Sequence, residues 1–186
     1  PGGWLNDNLI TYHFNRLIAD PSFSAYPPSA LPLIRSASAI FLDPAVVSFL
    51  MFQLDANDED ERNDFVTGTL EGKAEVRLII PISSEYVPGN TLRVGAGAHW
   101  SLLALSISDG TISALHADSS SNTNLAQAAA VTNKISLLLN SSPPTPTQAT
   151  VPQQTNSYDC GVYTLFFAEF FATNRSNSSI VPLITP

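Results

Sequence analysis

The chain has 186 residues, 44% of them apolar, and carries 16 acidic against 8 basic side chains, for a formal net charge of −8 at pH 7. This composition predicts one domain with a full hydrophobic core over residues 1–186, and no apolar run approaches the ~18 residues of a membrane span. So few Lys and Arg residues argue against nucleic-acid binding. A basic protein partner fits better, although solubility alone explains an acidic surface nearly as well.

The first residue and the cysteine content give expectations about the extent of the chain and its redox compartment. Pro1 stands where a complete chain would have Met, so we expect a piece that begins inside a longer protein, truncated at its N-terminus and without a leader segment. The one cysteine, Cys160, excludes an intrachain disulfide and fits a reducing compartment. We therefore expect a cytoplasmic or nuclear location.

The start of the chain predicts a helix. Asn6 or Asp7 can cap it, and it runs to about Ala19 before a loop rich in Pro and Ser at 21–32. The apolar side of this helix comprises Leu9, Ile10, Phe14, Leu17 and Ile18.

A short strand and a second helix follow. Residues 40–42 predict the strand; Asp43 then serves as N-cap and Pro44 as first residue of a helix to about Gln53. The segment 55–64 carries six acidic side chains against one arginine. It is either an exposed helix start, where acids suit the helix dipole, or a rim that attracts a basic partner; the first is the commoner use of such a run.

The middle of the chain predicts a sheet. Residues 74–82 are almost continuously apolar and β-branched, which indicates a buried strand. A glycine-rich loop at 89–98 leads to the apolar run 100–107. Asp109-Gly110 separates that run from the run 111–118, and Asp-Gly between two apolar runs is a strong hairpin signal.

The last third predicts a further helix and a short strand. Asn122 or Thr123 can cap a helix over about 124–139. The proline-containing segment 141–147 predicts a loop, and 149–151 a short strand. Together these elements predict an α+β fold, a central mixed sheet flanked by helices.

Cys160 stands at the start of the final helical pattern. The apolar residues of this pattern are Val162, Leu165, Phe166, Phe167, Phe170 and Phe171. Unpaired N–H groups and the dipole at a helix N-terminus favour a thiolate and lower the thiol pKa. Gly161 adds no side chain beside the sulfur, which leaves room for a substrate backbone. A lone cysteine is more often a small buried hydrophobic residue, so a catalytic role requires a base nearby.

The candidate bases are the three histidines. His13 lies in the first helical pattern and is more typical of a half-buried helix residue. The predicted hairpin brings Asp118 back beside His99, and a carboxylate next to an imidazole is the pairing that a catalytic triad requires. His116 is a rival because its side chain shares a face with Asp118, but no flexible approach precedes it.

Four short motifs follow one another along the chain: Trp-Leu-Asn-Asp at 4–7, His-Trp-Ser-Leu-Leu at 99–103, Asp-Ser at 118–119 and Gln-Gln-Thr-Asn-Ser-Tyr-Asp-Cys-Gly at 153–161. In this order they resemble the Ulp/SENP cysteine proteases of ubiquitin-like modifiers. The second and fourth motifs, with residues 40–46, are most similar to the deneddylase branch. Ala98 departs from the family, which usually has Thr or Ser before the catalytic His.

The resemblance implies a papain-like cysteine protease fold with no cofactor and no metal. It implies Cys160 as nucleophile, His99 as general base and acid, Asp118 as the carboxylate that orients His99, and Gln154 as an oxyanion-hole side chain. Trp4 and Trp100 would line a tunnel for a Gly-Gly tail, with Asp7 at its rim. The residues expected to contact substrate are Trp4, Asp7, Trp100 and Gly161.

The implied activity is cleavage after the C-terminal Gly-Gly of a ubiquitin-like modifier, as deneddylation, precursor processing or both. The implied partners are the neddylation modifier and its conjugates such as cullins, with SUMO and ubiquitin as alternatives; we expect a monomer and no nucleic-acid or membrane partner. Two other classes stay open. An inactive module would bind a ubiquitin-like protein without cleaving it, and an acyltransferase with a related Cys/His site usually has Glu where this chain has Asp118.

Overall fold

The computed structural model describes residues 5–20, 39–70, 73, 75–86 and 98–173. They contain a five-stranded sheet in the order β1-β2-β3-β4-β5. The two edge strands run parallel to their neighbours, and the three central strands are antiparallel. The strands are β1 (Ala39–Phe41), β2 (Glu75–Ser83), β3 (Trp100–Ser108), β4 (Thr111–Ala117) and β5 (Thr147–Gln148).

Helices cover both faces of the sheet. They are α1 (Asp7–Ala19), α2 (Pro44–Phe52), α3 (Glu59–Leu70), α4 (Leu125–Leu138) and α5 (Cys160–Thr173). Successive side chains of a strand point to opposite faces, so the sheet contributes to two cores. On one face α2 and α4 pack with Leu78, Ile80 and Leu103; on the other α1 and α5 pack with Ile79 and Leu102. The predicted α+β fold is confirmed.

Helix α1 begins as predicted but buries a narrower stripe. The Asn6 side chain accepts a hydrogen bond from the Leu9 N–H at 3.1 Å, which caps the helix. Leu9 and Ile18, predicted on the apolar side, are 50% and 60% exposed, because each lies about one residue's rotation from the buried stripe. In α5, Val162 is likewise 52% exposed, so these three predictions are wrong. The buried apolar residues of α1 are Ile10, Phe14 and Leu17.

Capping carboxylates start the next two helices. Asp43 accepts the N–H of the residue two positions later at 2.7 Å, as the predicted N-cap of α2. Asp58 accepts the N–H groups of Asp60 and Glu61 at 3.0 Å each. The acidic side chains of segment 55–64 are exposed, so the interpretation as a helix start is confirmed. Contact of this segment with a partner stays a hypothesis.

The predicted hairpin is confirmed. Asp109 and Gly110 join β3 to β4 with φ angles of 49° and 74°. Positive φ at both turn residues is the geometry of a type I′ turn, for which Asp-Gly is a favoured sequence. At the opposite end the β3–β4 ladder ends at the pair of Leu102 with Ala117. His99 and Asp118 therefore lie just outside the regular pairing.

Two elements after the hairpin differ from the prediction. The N-cap of α4 is Asn124 rather than Asn122 or Thr123. Asn122 has a φ of 66° and Thr123 donates its hydroxyl to the Ser120 carbonyl at 2.6 Å, so both belong to the turn before the helix. Strand β5 precedes the predicted 149–151, because two residues of parallel pairing are too short to show as an alternating pattern.

Within the described ranges, no helix has the length and apolarity to cross a membrane. The same residues include no cluster of three or more His, Cys, Asp or Glu suited to a metal ion. The predicted loop at 21–32, and the loop at 89–98 apart from Ala98, lie outside the described residues.

Candidate active site

Cys160 is the first residue of α5, where a polar loop enters the helix. Asn156 shapes that loop: its Oδ1 accepts the N–H groups of Tyr158 and Asp159 at 3.0 Å each, and its Nδ2 donates to Asp159 Oδ2 at 2.7 Å. Cys160 is 1% exposed, beside the unpaired N–H groups of the helix. The predicted position at a helix N-terminus is confirmed.

The open end of the hairpin joins His99 to Asp118. His99 Nε2 lies 2.7 Å from Asp118 Oδ1. The imidazole also lies close enough to the Cys160 thiol for each group to shift the pKa of the other. Because Nε2 faces the carboxylate, Nδ1 is the ring nitrogen left for the sulfur. The three side chains therefore lie in the order thiol, imidazole and carboxylate, with a hydrogen bond between the last two.

The protonation preferences of these groups favour an ion pair. Burial alone would lower the pKa of His99, but hydrogen bonds with Asp118 and Cys160 raise it to about 9. Burial alone would raise the pKa of Cys160, but the hydrogen bond with His99 and the backbone of Trp100 bring it below its usual value. Both pKa shifts favour the thiolate–imidazolium pair over the neutral pair, and the thiolate is the reactive state of a nucleophilic cysteine.

Asp118 is held by three hydrogen bonds. Oδ1 accepts the Ser120 N–H at 2.8 Å in addition to His99, and Oδ2 accepts the Asn124 N–H at 3.0 Å. Burial alone would raise the pKa of Asp118, but these donors lower it. The carboxylate is 1% exposed and both of its oxygens have donors, so it is fixed in position and ionised.

His116, the rival base, is turned into the core. It is fully buried, with Nε2 at 2.9 Å from Ser101 Oγ and Nδ1 at 2.5 Å from Gln148 Nε2. The amide of Gln148 donates to Nδ1, so Nε2 carries the proton. Burial lowers the pKa of His116 to about 4. Both ring nitrogens are therefore committed to buried partners, and His116 serves the packing of the sheet.

Gln154 lies in a loop tied to the Asp118 turn. Its backbone N–H donates to the Ser119 carbonyl at 2.8 Å, and its Oε1 accepts the Ser119 hydroxyl at 2.7 Å. Its Nε2 donates to the Asn156 carbonyl at 2.7 Å. An amide nitrogen carries two hydrogens, so a second donor remains for another acceptor. The side chain is thus clamped with its donor end toward the loop that leads to Cys160.

The comparisons with known proteins show the family of this chain. Residues 13–185 match the model of the Ulp1 protease family, C-terminal catalytic domain. The chain belongs to the Ulp1 protease family. The resemblance seen in the sequence is therefore confirmed at the level of the family.

Two sentrin-specific proteases are similar to this chain in sequence. Probable sentrin-specific protease 8 of Dictyostelium discoideum is 28% identical over 174 residues, 89% of this chain and 65% of that protein. Human sentrin-specific protease 8 is 28% identical over 198 residues, 100% of this chain and 80% of that protein. The chain thus spans just under two thirds of the Dictyostelium relative.

Among solved structures, the Xanthomonas campestris effector protein XopD bound to ubiquitin matches with a TM-score of 0.60 at 20% identity. The match covers 92% of this chain and 76% of that chain. Similarity at this level of identity concerns the fold. The predicted papain-like cysteine protease fold is confirmed.

The residues predicted to contact substrate in this Ulp1-family chain differ in their exposure to solvent. Trp100 is 6% exposed, packs with Cys160 in the core, and donates its Nε1–H to the Leu5 carbonyl at 3.1 Å. Trp100 is therefore a core residue, whether or not it also lines a tunnel for the Gly-Gly tail. Asp7 is exposed in the first turn of α1, and Trp4 lies outside the described residues. Contact of these residues with substrate stays a prediction.

Gly161 lies against Leu5 and not beside open space, which corrects the prediction that it leaves room for a substrate backbone. The space beside it is filled by the chain itself: a Cβ added at Gly161 would stand 2.4 Å from Leu5 Cβ. Glycine is therefore required for the close approach of residue 5 to α5, which also places the Leu5 carbonyl that Trp100 bonds. Room for a substrate backbone is not what this glycine provides at its Cβ position.

Gly161→Ala is expected to destabilise the fold by about 1–3 kcal/mol, since the clash involves Leu5 Cβ and requires a backbone shift. Urea unfolding measures the effect. Gly68→Ala is the matched control, because Gly68 lies inside α3 with nothing within 4 Å of its added Cβ. The control should gain about 0.5–1 kcal/mol. Equal stability of the two variants would contradict the role of Gly161.

Gln154→Ala is expected to lower kcat by about 10²–10³, the usual cost of one oxyanion donor, with little change in KM. Gln153→Ala is the control. Gln153 is a neighbouring amide that also ties this loop to the Asp118 turn, but within the described residues its side chain bonds backbone groups alone, Ser121 N–H and the Asp118 and Val151 carbonyls. Equal losses in both variants would mean that Gln154 supports the loop and does not act at the oxyanion.

Sequence reasoning missed three residues that support the site. Ser84 Oγ accepts the His99 N–H at 3.1 Å, Ser119 clamps Gln154, and Asn124 contacts both His99 and Asp118 through its amide groups. Ser119 was visible as the second residue of the Asp-Ser motif. Ser84 and Asn124 carry no signal in the sequence, because their partners are mainly backbone groups brought close by the sheet.

Proposed function

We propose that residues 1–186 form a single catalytic domain of a thiol-dependent isopeptidase that cleaves after the C-terminal Gly-Gly of a ubiquitin-like modifier. The observation that carries the proposal is the arrangement of Cys160, His99 and Asp118, with His99 Nε2 at 2.7 Å from Asp118 Oδ1 and the pKa of the Cys160 thiol lowered by the neighbouring His99. A buried cysteine without chemistry would need neither partner. Membership of the Ulp1 protease family supports the same class of reaction.

In the proposed reaction the Cys160 thiolate attacks the carbonyl carbon of the last glycine. The resulting oxyanion accepts hydrogen bonds from Gln154 Nε2 and from the Cys160 N–H at the start of α5. The His99 imidazolium donates its proton to the departing lysine amine or peptide nitrogen, which leaves a thioester.

The second half of the reaction clears the thioester. Neutral His99 takes a proton from water as the water attacks the thioester carbonyl. The modifier leaves as a carboxylic acid that loses its proton to solvent, and Cys160 is regenerated as the thiolate beside protonated His99. Asp118 stays ionised throughout and holds the imidazole by Nε2, so that Nδ1 faces the reacting atoms.

The neddylation modifier is the proposed substrate, as precursor, as conjugate or both. Two lines support it: the sequence resemblance to the deneddylase branch, and relatives named sentrin-specific protease 8 at 28% identity. SUMO and ubiquitin are the alternatives, because they share the Gly-Gly ending. Conjugates such as cullins, a monomeric state and a cytoplasmic or nuclear location complete the proposal.

A binding module without activity is the alternative from another class. Such a module gains nothing from a lowered thiol pKa or from a buried carboxylate on His99, so the electrostatics of the site favour an enzyme. An acyltransferase would use the same pair with a thioester donor. Release of free modifier without acyl-CoA distinguishes the isopeptidase from it.

Electrophilic C-terminal probes of the neddylation modifier, SUMO and ubiquitin test the proposal, with Cys160→Ala in parallel and adducts detected by mass. We expect the wild type, and not the variant, to gain the mass of the neddylation probe. Labelling by the SUMO or ubiquitin probe instead would support the proposed reaction but contradict the neddylation modifier as substrate. Absence of an adduct with every probe would overturn the proposed activity.

A further inference from the structure

Asn124 is a fully buried polar residue at the N-terminus of α4, beside the candidate active site. Asn is a favoured N-cap because its side-chain oxygen can accept a helix N–H. Here the side chain makes no such bond, and Oδ1 accepts no hydrogen bond from the described residues. The helix thus forgoes a stabilising cap, so the side chain is directed elsewhere at a cost.

The Asn124 amide points into the sheet instead. Its Nδ2 donates to the His99 carbonyl at 3.0 Å and to the Ile82 carbonyl at 3.1 Å, on the adjoining strand. Its backbone N–H donates to Asp118 Oδ2 at 3.0 Å. One residue therefore contacts both members of the His99–Asp118 pair, each through a different group.

The location of that pair explains why such a contact is needed. The last paired residues before His99 and Asp118 are Trp100, opposite Ser83, and Ala117, opposite Leu102. The Ser84 N–H still donates to the His99 carbonyl at 2.9 Å, which ties His99 to the β2 side, but the β3–β4 ladder ends at Leu102 and Ala117 and does not set the distance from His99 to Asp118. A proton transfer at His99, by contrast, requires placement to a fraction of an ångström.

We propose that Asn124 is a positioning residue that holds the His99 backbone at the distance from Asp118 that the catalytic hydrogen bond requires. Its side chain holds His99, and its main chain, at the N-terminus of α4, holds Asp118. A side-chain substitution therefore loosens His99 while it leaves the Asp118 contact in place. The expected change in kcat rests on the proposed function. The expected change in the position of His99 does not depend on that function.

Asn124→Ser is the variant of choice. Serine is as good an N-cap as asparagine, so α4 keeps its stability. Its shorter side chain does not reach the His99 carbonyl. We expect kcat on a modifier fusion to fall on the order of 10²-fold with KM unchanged, as for a misplaced catalytic group. The His99 pKa, followed by NMR of the imidazole, should fall from its value of about 9, because the bond to Asp118 loosens.

Val131→Ala is the matched control. Val131 is fully buried in the same helix, in the core on the face of the sheet that α2 and α4 cover, so its truncation costs stability. The control should lower the melting temperature and leave kcat per folded molecule and the His99 titration unchanged. If Asn124→Ser behaves in the same way, the positioning role is wrong and Asn124 is only structural.

The NMR titration separates this proposal from the proposed function. If the wild type cleaves no modifier fusion but the His99 pKa still falls in Asn124→Ser, the positioning role stands and the proposed function fails. If the wild type cleaves and the titration and kcat of Asn124→Ser match the wild type, the function stands and the positioning role fails. A combined Asn124→Ser and Asp118→Asn variant should be little slower than Asp118→Asn alone, since both act on one hydrogen bond.

Discussion

Cys160→Ala is expected to abolish turnover of a linear fusion to the neddylation modifier while binding of the modifier is retained. The thiolate is the atom that forms the covalent intermediate, and no other cysteine exists in the sequence to replace it. Loss of a nucleophile in a hydrolase of this kind costs on the order of 10⁶ in kcat. Steady-state cleavage and calorimetric binding of the modifier are the two measurements.

A small change at residue 160 should leave the fold intact. Cys160 is 1% exposed and belongs to the buried cluster that includes Trp100 and Phe167, so alanine removes one buried atom without adding a polar group. Ala168→Gly, in the same helix and core, is a control for packing loss away from the sulfur. It should be less stable than the wild type and still cleave. Activity in Cys160→Ala within 10²-fold of the wild type would end the assignment of the nucleophile.

The parts of the fold with strong local signals could be predicted from sequence. The Asp109-Gly110 turn requires positive φ at two residues, which few sequences accept, so the hairpin and its register followed. That hairpin is why His99 and Asp118 could be paired in advance. Capping residues such as Asn6 and Asp43 were found for the same reason: their contacts are within three residues of themselves.

The predictions that were wrong concern residues whose surroundings depend on contacts between segments distant in sequence. Leu9 and Ile18 are apolar at helical spacing, but which side of α1 is buried is set by α5 and the sheet. Gly161 looked like space for substrate because sequence does not reveal that Leu5 fills it. Asn124 looked like the first residue of a helix, but its side chain hydrogen-bonds the carbonyls of Ile82, in β2, and of His99, just before β3, and sequence does not show these contacts.

The choice between the two candidate bases also depended on contacts that the sequence does not show. His99 and His116 were both compatible with a base beside Asp118, and only the orientation of β4 separates them. His116 points into the sheet between Ser101 and Gln148, while His99 lies at the end of the β3–β4 ladder, where it hydrogen-bonds Asp118 and lies near the Cys160 thiol. Sequence could rank the two by their flanking residues but could not establish their contacts.

Asp118→Asn is expected to lower kcat by about 10²–10⁴, because the substitution removes the charge that stabilises imidazolium and disturbs the tautomer of His99. The structure adds a second reason. Oδ1 accepts from both His99 and Ser120, and Oδ2 accepts from Asn124. An amide has one oxygen, so in either orientation its NH₂ group faces a donor that loses its acceptor. The variant should also lose about 1–3 kcal/mol of stability.

The pH profile distinguishes loss of orientation from loss of stability. Hydrogen bonds to Asp118 and Cys160 raise the His99 pKa to about 9, so wild-type kcat/KM should fall above that pH as the imidazolium loses its proton, and at low pH as the thiolate is protonated. Without the Asp118 charge the His99 pKa falls, and the alkaline limb moves to lower pH.

Asp109→Asn is the matched control for Asp118→Asn. It makes the same chemical change at the exposed turn at the other end of the hairpin, where Asn-Gly supports a type I′ turn as well as Asp-Gly. Rates and pH limbs equal to the wild type are expected there. If Asp118→Asn also kept the wild-type alkaline limb and a rate within a few-fold, another group would have to orient His99, and the thiolate–imidazolium pair would not depend on the carboxylate that the hairpin brings to it.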